Sequence, residues 1–211
     1  MKSAWKIWQR ARCSAARLVG DCRGIAAVEF AMIVPIMLVM FFGTVEFSSG
    51  VAVDRKVTLI ARTLSDLTSQ SGQLVNDSYL QNVFTASIAI MTPYAAVPTK
   101  GTISEIYVSS AKIATIQWSR SAIIATPIDT QATLAVSNRK AGDIVTAIVP
   151  PALLVPKTYV IFSEVSYLYT PTVGYVMSKA GVNLSDVAYT RPRQVACLTY
   201  NSAPATSCPT P

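Results

Sequence analysis

The sequence predicts an α+β protein: a long N-terminal transmembrane helix, then an extracytoplasmic domain with a second helix and an antiparallel β-sheet. Three observations carry this prediction. Between Ile25 and Val45 the only charged residue is Glu29, in an otherwise apolar run. Helical spacing of apolar residues continues beyond that run to about residue 69. From about residue 103 the pattern changes to β-branched and period-two segments separated by Pro, Ser and Lys.

The apolar run is of membrane length. Phe30 to Val45 carries no charge, and Ile25–Val28 extends it to about 20 residues, enough to cross ~30 Å of hydrocarbon. Pro35 removes one backbone hydrogen bond and bends the span, which membrane helices tolerate. A secretory signal would have a shorter apolar core and a small-residue cleavage site behind it. A plain uncleaved signal anchor is the stronger alternative. Glu29 is costly in this setting, roughly 2.5–3.5 kcal/mol for an acidic residue at mid-membrane on insertion scales. Its position is therefore read as purposeful.

Charge is distributed unevenly. The chain carries +7 overall, and residues 1–23 contribute +5 of it through Lys2, Lys6, Arg10, Arg12, Arg17 and Arg23 against Asp21. The remainder is nearly neutral, so it lacks the basic face that a nucleic-acid-binding domain needs. The basic leader fits the positive-inside rule, which places the N-terminus in the cytoplasm and the bulk of the chain outside. Mean hydropathy of +0.40 reflects the span together with an Ala/Val/Ile/Thr/Ser-rich remainder.

Past the span, Val53, Val57, Ile60, Leu64 and Leu67 recur at intervals of four and three, one stripe of a helix. A single helix from Ile25 to about Ser69 would be ~68 Å long at 1.5 Å per residue. Ser71-Gly72 ends it. Asn76 or Asp77 is a suitable N-cap for a second helix over roughly Ser78–Met91, with Leu80, Phe84, Ile88 and Met91 on one side and Pro93 as its stop. Ile103–Ser109 and Ile113–Trp118 read as a hairpin. Ile144–Val149, Thr158–Tyr169 and Val195–Tyr200 read as further strands. Ser121–Gly142 shows no clear pattern. The Pro/Thr/Ser-rich tail reads as loosely ordered.

Chemistry is sparse. The chain has no histidine, which removes Ser-His-Asp and Cys-His catalysis and every His-ligated metal site. It has no Walker loop, GxGxxG, CxxC or GxSxG motif. Asp129, Asp143, Glu164 and Asp186 show no spacing that brings two together. No catalytic residue, cofactor or metal site is therefore predicted. The late tyrosines, Tyr159, Tyr167, Tyr169, Tyr175, Tyr189 and Tyr200, read first as aromatics packed across a sheet. Cys13 and Cys22 lie in the leader, on the reducing side. Cys197 and Cys208 lie on the predicted oxidising side and are expected to close a small disulfide loop, with unrelated free thiols as the alternative.

The basic leader, Gly24, four small or apolar residues, Glu29, Phe30 and an apolar helix resemble a type IV prepilin cleavage and assembly signal. Gly24, Val28, Glu29, Phe30, Ala31, Pro35, Gly43 and Glu46 together resemble the TadE-like family of the Tad (tight adherence) pilus system. A weaker match lies in Glu164-x-x-Tyr167-x-Tyr169-x-Pro171 and in Arg191-Pro192-Arg193 ahead of a C-terminal cysteine. The resemblance implies a minor pilin or pseudopilin rather than an enzyme. It implies cleavage by a prepilin peptidase between Gly24 and Ile25, with Glu29 and Phe30 setting helix registry during pilus assembly. Implied partners are other pilin-like subunits and the assembly machinery, with no nucleic acid. The implied location is the bacterial inner membrane, spanned once, with the C-terminal domain in the periplasm or carried into an adhesive pilus.

The expected organisation is a leader at 1–24, a spine helix at 25–70, an α+β head at 71–201 and a tail at 202–211. The alternative function is an uncleaved single-pass envelope protein whose outer domain binds a protein or glycan partner.

Overall fold

The computed structural model describes residues 24–72, 74–124, 126, 131–171 and 181–201. Of the leader only Gly24 falls among them, and the tail at 202–211 lies outside them. The first helix, α1, runs unbroken from Ile25 to Ser69 with Pro35 inside it. Its last turn closes on itself: Gln70 N donates to the carbonyls of Asp66 and Leu67, and Ser71 N to that of Thr68. By packing, the chain divides into two units at Glu46/Phe47.

In the first unit, residues 24–46, the large apolar side chains are uncovered. Phe30, Met32, Met40 and Phe41 are each more than three-fifths exposed. This segment is long and apolar enough to cross a membrane. Phe41 and Phe42 meet edge to face at 5.5 Å.

The second unit begins at Phe47 and holds the remaining elements. The rest of α1 turns the predicted stripe inward: Val53, Val57, Ile60 and Leu64 are buried, with Ala61 beside them, and Leu67 packs at the margin. Ala61 and Ser65 are small, so the sheet comes close to the helix there. Ser163 Oγ donates to Ala61 O at 2.6 Å, and Ser65 Oγ lies 2.7 Å from Thr190 Oγ1.

A short strand β1 (Leu74–Val75) leads to helix α2 (Asp77–Ile88). Asn76 caps α2, its side chain accepting from Tyr79 N at 2.8 Å, which satisfies one of the free amides at the helix start. A 3-10 turn at Ala89–Met91 continues it. Leu80, Phe84, Ile88 and Met91 are buried, as their spacing predicted.

The sheet is formed by β2 (Lys100–Val108), β3 (Ala114–Ile123), β4 (Thr133–Ala135), β5 (Thr158–Tyr169) and β6 (Val182–Thr190). Its order is β4-β3-β2-β5-β6, every neighbour antiparallel. β2 is central and buried on both faces, and the two faces build two cores. Ile103, Trp118, Ile161 and Val165 meet α1 and α2 on one side. Ile106, Val108, Ile116, Val160 and Phe162 meet Val145 and Val149 on the other. Gly101 provides the room for α2: a Cβ there would stand 3.0 Å from the Phe84 ring.

Several features differ from the sequence reading, the short strands β1 and β4 among them. Ile144–Val149 is not a strand. It makes one bridge, Thr115 to Ile144, and then turns, with Val145 and Val149 plugging the second core. Of Val195–Tyr200 only β7 (Thr199–Tyr200) is extended, paired in parallel with β1. β6 was not expected. Asn183, Ser185 and Asp186 lower its strand propensity, and nine paired positions against β5 override that.

Candidate functional site

The residues expected to carry processing and assembly sit at the start of α1. Gly24 immediately precedes the helix, is exposed, and has nothing within 4 Å of where a Cβ would stand. Ile25 opens the helix and is 55 % exposed. Glu29 and Phe30 are also exposed. Ile25 and Glu29 are four residues apart, one above the other on the same helix face with a rise of ~6 Å. An amino group created at Ile25 by cleavage would thus lie one turn from the Glu29 carboxylate. Ala27, Ala31 and Pro35 follow one i, i+4 row, which leaves a shallow strip suited to close helix approach.

In the second unit the most constrained polar group is Glu105, which the sequence reading did not single out. It sits on central strand β2 opposite Trp118 and Ile161 and is 1 % exposed. Its carboxylate accepts from Trp118 Nε1 at 3.0 Å and from Leu198 N at 2.6 Å. Trp118 Nε1 also donates to Leu198 O at 3.0 Å. Burial pushes the Glu105 carboxyl up to about 8, outweighing the two donors. The signal was available in sequence. Glu105 shares the parity of Ile103 in an alternating strand, which points an acid inward.

Leu198 follows Cys197, which is buried and carries a disulfide bond. The other expected partner, Cys208, lies outside the described residues. Tyr200 continues this strap. Its hydroxyl donates to Asp77 and accepts from Arg120, whose guanidinium lies 4.7 Å from the Tyr200 ring. Residues 198–200 are therefore tied to the sheet and to the start of α2.

The sheet face opposite the helices is polar at one end. Thr102 and Ser121 pair at 2.7 Å, as do Ser104 with Ser119 and Ser119 with Ser137. Arg139 forms a two-pronged pair with Glu164 and covers the Phe162 ring at 5.2 Å. The Glu164 contact raises the Arg139 guanidinium further above its usual range. Thr102, Ser137, Arg139 and Glu164 line an open depression of about 420 Å³ with Lys100 and Asp186. Of the four acids considered in sequence, Asp129 lies outside the described residues. Asp143 accepts from Lys140 N at 2.7 Å in a turn, and Asp186 from Val187 N at 2.8 Å. Among the described residues no three of His, Cys, Asp and Glu gather as metal ligands.

Tyr167 and Tyr169 of the weaker motif are buried against the helical core, and Arg193 pairs with Asp66 of α1. Residues 24–64 match the family model described as TadE-like protein. No curated protein and no solved structure matches the chain.

Proposed function

We propose that this chain is a pilin-like, membrane-anchored component that helps assemble a Tad-type pilus and is processed between Gly24 and Ile25 by a prepilin peptidase. The observation that carries the reading is the family match, which starts at Gly24 and runs along α1 into the stripe that packs the head. An exposed glycine ahead of an apolar helix suits a membrane peptidase, because Gly offers no side chain to clash and an adaptable backbone. In lipid, a freed Ile25 amine and Glu29 would each be costly alone, and pairing them within a chain or between neighbours lowers that cost. That pairing would set the stagger between helices. The head would then act by binding protein partners rather than by chemistry of its own.

The test is co-expression with the peptidase. Wild type should lose the leader and Gly24→Arg should retain it, read by N-terminal sequencing. Glu29→Ala should be cleaved and inserted normally yet co-purify poorly with other pilin-like subunits. If wild type and Gly24→Arg both keep the leader, the uncleaved envelope protein becomes the better reading. If Glu29→Ala co-purifies as wild type does, the registry role is lost.

A further inference from the structure

The two edges of the sheet are finished differently. The β4 edge is three residues long, and Ala132 just ahead of it is held by α2. Its amide donates to Thr85 Oγ1 at 3.0 Å and its carbonyl accepts from Gln81 Nε2 at 3.1 Å. The β6 edge is nine residues long and pairs with β5 without a register shift. It contains no proline or lysine, two residues that commonly blunt such an edge. Its backbone groups alternate between β5 and the open side. Ala188 O faces β5, where Ser163 Oγ reaches it at 3.4 Å, and Val187 N turns away to the side chain of Asp186 at 2.8 Å. Asn183, Ser185, Val187 and Tyr189 therefore present their amides and carbonyls outward. Among the described residues no other backbone meets them.

A groove of about 670 Å³ runs along this edge. Successive side chains of a strand point to opposite faces. The groove is lined by Val187 and Tyr189 from one face of β6 and by Ala188 and Thr190 from the other, so it lies beside the strand and over neither face alone. Arg62 of α1 stands on the helix side, and Leu153, which packs on the second core, stands on the other. Arg62 is exposed and forms no ion pair among the described residues. Asp66, the acid in the same lining, is taken by Arg193. The groove therefore offers a row of unpaired backbone groups, apolar side chains on one side and an unneutralised cation on the other.

We propose that this edge accepts an extended segment of a protein partner as an additional strand, with an acidic side chain of that segment facing Arg62. Backbone pairing supplies affinity, and alternate side chains supply the choice of partner. The residue facing Arg62 lies on the helix side, so its two neighbours fall on the opposite side, against Val187 and Leu153. The matching segment reads apolar, acidic, apolar. The proposal rests on the reading that the head binds protein partners, and not on cleavage at Gly24.

The test is hydrogen exchange at single amides of the full chain in non-ionic detergent. The probe is the acetylated and amidated peptide Thr-Thr-Val-Glu-Val-Thr-Thr. In the free chain the amides of Ser185 and Tyr189 should exchange fast, and those of Leu184, Asp186 and Ala188 slowly. The peptide should slow Ser185, Val187 and Tyr189 saturably. The same peptide with Lys in place of Glu should bind about fivefold more weakly, and Arg62→Glu should reverse that preference. Val187→Pro removes one outward donor and no bond to β5, so it should weaken peptide binding while Leu184, Asp186 and Ala188 stay protected. Glu29→Ala should bind the peptide as wild type does, which separates this surface from contacts made by the apolar half of α1. Slow exchange of Ser185 and Tyr189 in the free chain would overturn the proposal, because the edge would already be covered. Slowing that grows with chain concentration in the absence of peptide would overturn it in favour of a second copy. So would the lack of a saturable response, or a preference for Glu that survives Arg62→Glu.

Discussion

The two halves of α1 share one backbone element and differ in almost everything else. Along residues 25–45 apolar side chains occur on every face and stand exposed, Phe30 and Met40 at 69 %. Along residues 53–64 the stripe of Val53, Val57, Ile60 and Leu64 is 0–1 % exposed, and only Leu59, off the stripe, faces out at 49 %. A helix apolar all round belongs in lipid or a large core, whereas a striped helix belongs at the surface of a small one. The difference teaches that hydrophobic content does not tell where a residue goes. The angular distribution of that content does. Glu29 and Asp54 make the same point: one is the lone charge in a uniform face, the other sits on the polar side of a patterned helix.

The sharpest way to break this comparison is to remove one aromatic ring from each region. Phe84 is fully buried against Gly101 and Leu64's neighbourhood, so Phe84→Ala should destabilise the head by about 3–5 kcal/mol. Phe30→Ala removes a ring of equal size from an exposed site and should move head stability by no more than about 0.5 kcal/mol. Urea unfolding of the two variants in detergent measures both. Comparable losses would mean that the first half of α1 contributes to head stability in a way the burial pattern does not show.

A second test concerns the strap that ends in β7. We predict that Cys197 is bonded to Cys208, on the grounds that the proposed topology puts both on the oxidising side and that the bond would fasten the tail to a segment already held by Glu105 and Asp77. Closing so short a loop should stabilise the folded chain by about 3 kcal/mol or less. Peptide mapping without reduction should recover the 197–208 pair, and reduction should lower the unfolding midpoint. Recovery of alkylated thiols at both positions would remove the prediction.

The sequence revealed the helices far better than the sheet, for physical reasons. Helical signals are local: a stripe at Val53–Leu67 and a cap at Asn76 can be read without knowing the partner. β5 was equally plain because TYVIFSEVSYLY is rich in aromatic and β-branched residues. β6 was hidden because VNLSDVAYT acquires its strand identity from pairing with β5, and β4 because three residues carry no period. The expected strand at Ile144–Val149 failed for the opposite reason. Its apolar residues fill a core, and backbone pairing is not what placed them there. The residues proposed for processing and registry, Gly24, Ile25, Glu29 and Phe30, stood out because a charge in an apolar run is conspicuous. Arg139 was illegible because strands and loops far apart in sequence bring its surroundings together.

The most gradual expected effect, spread over several pH units, belongs to Glu105, and it sharpens the comparison because it tests whether the head has a true interior. The Glu105 carboxyl is raised from 4.5 to about 8 by burial. Between those values the unfolded chain has released the proton and the folded chain still holds it. Proton release on unfolding then makes stability fall as pH rises. The contribution is complete below about 4.5 and gone above about 8, at a rate on the order of 1 kcal/mol per pH unit in between. The chain has no histidine, so between pH 5 and 7 few other groups compete for that slope. Trp118, which donates directly to Glu105, reports on the site, and it is the only tryptophan in a chain beginning at Ile25. Urea midpoints of that processed chain should decline steadily from pH 5 to 7. Glu105→Gln keeps an acceptor for one of the two donors and cannot ionise, so its midpoints should be level across the same range. A level wild-type profile would mean that water or a charge reaches Glu105 in the folded head, and an undiminished slope in the variant would place the titrating group elsewhere.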